Sequence, residues 1–201
     1  MACRSTDIYI MNKNNHGEEL MIEKISLNAL HYGNDVNNRY FNQVYSDSFP
    51  DYEQRTLKGR TRILHEADTF CAWILNHEGE NVGILGGWHI GEWFYIEHFA
   101  VDKSLRGRGI GRLAMDHINA KFKQVILEID IPQDCISFKR LAFYKGRGYV
   151  SNDITHVHPS YKVAYKPHSL KVLSFPRSLT AQEYDTFEYQ LREVVMTECF
   201  L

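Results

Sequence analysis

One turn restricts the architecture of this chain more than any other part of it. The run Arg106-Gly-Arg-Gly109-Ile-Gly111-Arg112 follows a strand-like stretch, Trp93 to Val101. It opens a helix-like stretch from Gly109 to about Phe122, with Ile110, Leu113, Ala114, Ile118 and Phe122 on one face. Glycine tolerates φ > 0 and lets the backbone approach a ligand closely, so successive N–H groups in such a turn can converge on phosphate oxygens. The helix start adds unsatisfied N–H groups and a positive dipole end. Arg106, Arg108 and Arg112 add charge that can reach a pyrophosphate or ribose phosphate. By itself the pattern also suits a solvated glycine-rich turn. A P-loop would need a Lys-Ser/Thr pair after the glycines, and none is there. A Rossmann turn would sit on the first strand of a parallel repeat, whereas here four strand-like runs come first.

Those four runs are Met21–Leu30, Phe70–Leu75, Val82–His89 and Trp93–Val101, the last three joined by turn residues and reading as an antiparallel meander. Tyr40, Phe41, Val44, Tyr45 and Phe49 fall at helical spacing before Pro50, and a second helix is expected from Asp51 to about Leu64. Beyond the turn, Val125–Ile131 reads as a strand, and Asp134 caps a helix to about Lys145 that Gly146 and Gly148 stop. Thr155–Phe175 reads as a hairpin broken near Lys166–Ser169. Thr180 and Glu183 make a capping box, with Leu179 and Tyr184 as its staple, for a last helix buried through Phe187, Leu191, Val194 and Val195. The expected fold is therefore α+β, a mostly antiparallel twisted sheet of six to seven strands flanked by helices. Residues 1–20 are expected to be a flexible extension, 21–175 the domain, and 176–201 a helix packed on it or at a homodimer interface.

Composition narrows the function. A net charge of −2 over 201 residues provides no distributed basic surface for nucleic acid. No apolar run reaches the ~18 residues of a membrane span. The four cysteines stand far apart without a C-x-x-C pair, so neither a disulfide framework nor a zinc site is suggested. A soluble, cytoplasmic protein with no metal is expected. His156 and His158 share a strand face as a metal pair would, but no third ligand has a signature spacing, which favours a structural pair.

With the turn and the element order in hand, the sequence resembles the GNAT acetyltransferases. Arg106, Gly109 and Gly111 match that family's Arg/Gln-x-x-Gly-x-Gly/Ala motif, and Phe143-Tyr144-Lys-Gly-Arg-Gly148-Tyr149 resembles its F-Y-x-x-x-G-F/Y stretch. Many members carry Asn-Pro-x-Ala ahead of that stretch; here Ser137-Phe138-Lys139-Arg140 stands there, with the Ser137 hydroxyl in place of the amide. The resemblance implies acetyl-CoA as cosubstrate and direct attack by a primary amine of a small molecule or peptide. It places Arg106, Gly107, Arg108, Gly109, Ile110, Gly111 and Arg112 on the pyrophosphate. The backbone of Phe99, Ala100 and Val101 would meet the acetyl and pantetheine arms. Tyr144 would be the acid for the departing thiolate and Glu97 the base. Alternation along the strand puts Tyr95, Glu97, Phe99 and Val101 on one face and Ile96, His98 and Ala100 on the other. Glu128, Asp130, Trp88 and Tyr95 are the candidate acceptor contacts, the acidic pair favouring a cationic amine, with Glu128 and Asp130 also possible bases. A coenzyme-A-binding module without catalysis is the alternative from another class.

Overall fold

The chain is described from a computed structural model, which covers residues 25–31 and 35–197 and three two-residue strands ahead of them, Thr6–Asp7, Asn12–Lys13 and Glu19–Leu20. The extension expected over residues 1–20 lies, apart from those dipeptides, outside the described residues.

Runs rich in aromatic and β-branched residues form the strands, as a pleated, two-sided surface requires. In chain order they are β1 (Ile25–Ala29), β2 (Phe70–His77), β3 (Glu80–Ile90), β4 (Trp93–Val101), β5 (Val125–Asp130), β6 (Val150–Ser151), β7 (His156–His158) and β8 (His168–Phe175). The helices are α1 (Asp35–Ser48), α2 (Leu57–Glu66), α3 (Ile110–Phe122), α4 (Cys135–Lys145) and α5 (Ala181–Gln190). Thr6–Asp7 and β1 to β5 lie side by side in that order, followed by β8 and then β7 at the far edge, with β6 also on β8. Every pairing is antiparallel except that of β4 with β5, which α3 connects.

One face of the sheet packs Leu27, Trp73, Leu85, Phe94 and Leu127 against Ile110, Leu113 and Ile118 of α3. On the other face α1 covers Ile74, Ile84 and Ala100 with Phe41, Val44 and Tyr45. Beside it, α5 and the π-helical turn Leu191–Val195 cover Trp88, Tyr95 and Val172 with Phe187, Leu191 and Val195. The Thr180–Glu183 capping box that starts α5 is formed in full.

Two departures from the sequence expectation shape the site. The helix expected from Asp51 breaks into a 3-10 turn, Asp51–Glu53, and α2, because Gln54 is extended and the Thr56 hydroxyl accepts the Gly59 N–H at 3.0 Å as an N-cap. The break turns Arg55 inward, where it is 2% exposed. In β4 the register with β3 passes from Gly86↔His98 to Gly87↔Ile96, so Glu97 is an unpaired bulge residue. Strict alternation therefore fails there. Ile96, Phe99 and Val101 face α3, while Tyr95, Glu97, His98 and Ala100 contribute to the opposite face.

Beyond the bulge, β4 and β5 part. Their parallel ladder runs only from Phe94↔Val125 to Ile96↔Leu127, although β4 continues to Val101 and β5 to Asp130. The remainder of β4 is left without a ladder partner on that side, and a cleft opens between the strands.

Candidate active site

The cleft has a volume of about 450 Å³ and is walled by β4 from Tyr95 to Val101, β5 from Leu127 to Asp130, and the Ser48–Glu53 segment. Arg106, Arg140, Phe143, Tyr144, His158, Tyr161, His168 and Leu170 complete its lining.

At one end lies the arginine-glycine turn. The Asp102 carboxylate accepts the Ser104 N–H at 2.9 Å and holds the short 3-10 turn that leads in. Gly107 and Gly109 sit at φ of 80° and 82°, a region that favours glycine, and a Cβ on either would meet open space. The glycines are thus needed for the turn's shape and leave its mouth clear. Gly109 caps α3 without a side-chain bond, and the first helical N–H with a backbone partner is that of Arg112, to Gly109 at 3.0 Å. The N–H groups of Arg108, Gly109, Ile110 and Gly111 have no partner among the described residues. Arg106 is anchored, donating to the Val101 carbonyl and the Ser48 hydroxyl at 3.1 Å each, which ties the turn to β4 and α1. Arg108 and Arg112 are exposed and make no ion pair among the described residues. This is an anion cradle of free N–H groups and free guanidinium charge, and a pyrophosphate fits its chemistry.

Tyr144 lies on α4 between Phe143 and Tyr149, its ring centroid 5.1 Å and 5.5 Å from theirs. Its hydroxyl makes no hydrogen bond among the described residues, and burial pushes its pKa up to about 12. Ser137 is differently employed. Its hydroxyl accepts the Gln133 and Asp134 N–H groups at 3.0 Å each and donates back to Asp134 in the cap of α4. That hydroxyl is fully engaged in the cap and is not free to replace an asparagine amide.

The opposite end is polar and buried. Both oxygens of Glu97 are occupied: Arg55 Nε donates to Oε1 at 2.7 Å and Trp88 Nε1 to Oε2 at 2.7 Å. Burial raises the Glu97 carboxyl, but the Arg55 charge, His98 and these hydrogen bonds outweigh it and hold its pKa below the usual carboxylate range. Trp88, 1% exposed, is fixed by the same bond and does not line the cleft. His98 donates from Nε2 to the Glu53 carbonyl at 3.0 Å, and burial lowers its pKa to about 4, so the ring is neutral. Glu128 accepts the Tyr95 hydroxyl at 2.5 Å on Oε2 and pairs through Oε1 with His156 Nε2. Burial raises its carboxyl too, and the His158, His156 and Tyr95 groups beside it reverse the effect and lower it. Asp130, half exposed, pairs with Arg140 at 2.6 Å. Across from it the Glu53 carboxyl is pushed up by burial and by Asp130, against the pull of Arg140 and Tyr52.

A family model described as acetyltransferase (GNAT) family matches residues 35–149, more than half of the chain. The chain belongs to the GNAT acetyltransferase family. No curated protein matched by sequence. Among solved structures, a proposed GNAT acetyltransferase from Bacteroides thetaiotaomicron aligns at 20% identity and a TM-score of 0.81, covering 85% of this chain and 97% of that one. The ribosomal-protein-S18-alanine N-acetyltransferase of Escherichia coli aligns at 14% identity and 0.52, covering 79% and 97%. A Bacillus subtilis acetyltransferase in complex with CoA aligns at 14% identity and 0.51, covering 76% and 97%. At such identities these likenesses speak for the fold.

Within this GNAT fold Phe99, Ala100, Val101, Arg106 and Tyr144 line one cleft together with Tyr95, Glu128 and Asp130; Gly107 to Arg112 do not line it. Neither do Trp88 and the Ser137 hydroxyl. Sequence reasoning missed Glu53, Arg55 and the role of the two histidines. Arg55 carried a faint signal, its place directly before the capping Thr56; the histidines meet Glu128 only through sheet pairing distant in sequence.

Proposed function

We propose that this chain is an acetyl-CoA-dependent N-acetyltransferase that acetylates a primary amine by direct attack. The observation that carries the reading is the parting of β4 from β5 directly beside a turn of free N–H groups, with an unbonded Tyr144 hydroxyl in the same cleft. The turn suits the cosubstrate's pyrophosphate, and the unpaired side of β4 from Glu97 to Val101 offers backbone groups to its pantetheine arm and acetyl carbonyl. The amine nitrogen attacks the carbonyl carbon, a C–N bond forms and the C–S bond breaks. The Tyr144 hydroxyl protonates the thiolate; at a pKa of about 12 it holds its proton throughout the working range.

The acceptor end of the cleft supports a cationic amine, since Glu53, Glu128 and Asp130 face it with Arg140 as the counter-charge. Glu97 is a poor base in this arrangement: its two oxygens are sealed by Arg55 and Trp88, and its lowered pKa weakens its pull on a proton. Its work is to hold Arg55 and the cleft wall. Calorimetry with acetyl-CoA, followed by thiol release across polyamines, aminoglycosides, amino acids and short peptides, tests the reading. A folded protein that does not bind acetyl-CoA refutes it.

A further inference from the structure

Glu128 is a buried carboxylate with no lysine or arginine beside it among the described residues, and its neighbours leave one place unfilled. His156 occupies Oε1 and is itself fixed, with Nδ1 2.8 Å from the Tyr184 hydroxyl of α5. His158, 1% exposed, has Nδ1 at 2.6 Å from the Pro159 carbonyl. A carbonyl only accepts, so Nδ1 carries a hydrogen, and in the neutral form of the ring Nε2 carries a lone pair. That Nε2 has no hydrogen-bond partner, although it is buried and the residue lines the cleft. It stands 3.7 Å from Glu128 Oε2, too far for a direct bond. With the ring neutral, two acceptors face each other with no hydrogen between them. A nitrogen with several hydrogens, about 2.9 Å from each, bridges such a gap, and a positive one offsets the Glu128 charge.

We propose that His158 is the general base of the acetyl transfer and that His158 Nε2 and Glu128 Oε2 together receive the acceptor's ammonium group. The inference rests on the acetyltransferase reading above. The ammonium gives one proton to Nε2 while Nδ1–H stays on Pro159, and Glu128 stabilises the imidazolium that forms. The freed lone pair attacks the acetyl carbon. Of the ammonium's protons one stays on the amide, one replaces the proton that Tyr144 gave the thiol, and one leaves through His158 to solvent. The groups facing His158 are Glu128 of β5, His98 of β4, His168 of β8, whose ring is 5.8 Å away, and Tyr161, stacked at 4.9 Å.

The kinetic test is His158→Asn, which keeps a donor for the Pro159 carbonyl and deletes Nε2. At pH 7, kcat/KM for the amine should fall about 10²–10⁴-fold with the KM for acetyl-CoA unchanged, and the deficit should close as pH rises and the acceptor arrives neutral. A pH-independent loss, or none, overturns the proposal. Histidine-ring nitrogen NMR judges the same site without turnover. On the whole chain with acetyl-CoA bound, His158 should show the Nδ1–H tautomer, and n-propylammonium should shift Nε2 in the native protein but not in Glu128→Gln. An Nε2–H tautomer, or no shift with propylammonium, overturns the proposal. Absence of acetyl-CoA binding by the native protein sinks the acetyltransferase reading instead, and the propylammonium titration then decides the amine site alone.

Discussion

Arg55 and Glu97 form an ion pair at 2.7 Å with side chains 1% and 0% exposed, joining the break before α2 to the bulge of β4. Arg55 also donates to the Val195 carbonyl at 2.6 Å, so the pair ties the cleft wall to the C-terminal turn. Removing one partner of a buried pair strands the other charge, at a cost of about 3–5 kcal/mol. Glu97→Gln should therefore lose stability of that order at pH 7. The sign of the pH effect follows from the lowered carboxyl: its stabilisation is full above the unfolded value near ~4.3 and fades as pH falls through the folded one. Urea unfolding should show the gap to the native protein narrowing below the ordinary carboxylate range. Native-like stability together with a rate loss that vanishes at high pH would restore Glu97 as the base.

Gly109→Asp tests the cradle. The position tolerates a Cβ sterically, with nothing within 4 Å, but its φ of 82° strains any L side chain. That strain is about 1–2 kcal/mol, which a folded domain can absorb. A carboxylate beside a pyrophosphate cannot be absorbed in the same way. Acetyl-CoA affinity should fall at least ~100-fold, a loss of about 2.7 kcal/mol or more, while Gly109→Ala loses far less. Equal affinity of Gly109→Asp and the native protein in calorimetry would remove the phosphate from this turn.

Local chemistry was legible in the sequence, and long-range pairing was not. The 106–112 turn, the Asp134 cap and the Thr180–Glu183 box depend on neighbours a few residues away, and each was read from its residues. The bulge at Glu97 was invisible because it is set by the register of β3 against β4, so alternation assigned Phe99 and Val101 to the wrong companions. The motif points Ser137 toward the cofactor, whereas among the described residues its hydroxyl bonds within the adjacent cap, which Asp134 and Ser137 already spell out locally. Glu128 and His156 are 28 residues apart and meet only because β8 lies between β5 and β7.

The C-terminal segment is part of the domain's core. Phe187 is 0% exposed and packs edge-on to Tyr95, with ring centroids 5.1 Å apart, and Tyr95 in turn donates to Glu128. Phe187→Ala should cost about 3–5 kcal/mol from lost burial and the cavity left behind. Because the cavity opens beside Tyr95, amine KM should rise in the folded variant while acetyl-CoA affinity holds. Thermal melting and calorimetry check both halves; an unshifted melt would mean that α5 merely rests on the sheet.

Tyr144→Phe isolates one hydroxyl. The ring packs between Phe143 and Tyr149 and stays in place on substitution, and no hydrogen bond among the described residues is lost. Stability and acetyl-CoA affinity should therefore be nearly unchanged. Turnover should fall about 10–10³-fold, the lower part of the general-acid range because water can partly replace the donor. The pH profile sharpens the test. Burial holds the phenol protonated to about 12, so its loss as an acid adds no falling limb at ordinary alkaline pH, and the deficit of Tyr144→Phe should be level from neutral to moderately alkaline conditions. A thiol with a reference pKa of ~8.5 needs its proton less as pH rises, so a deficit that shrinks above that value would assign the slow step to thiolate departure itself. Stopped-flow thiol release with a verified acceptor, beside thermal melting of both proteins, gives the answer. Native turnover in the folded variant would show that the thiolate leaves unaided.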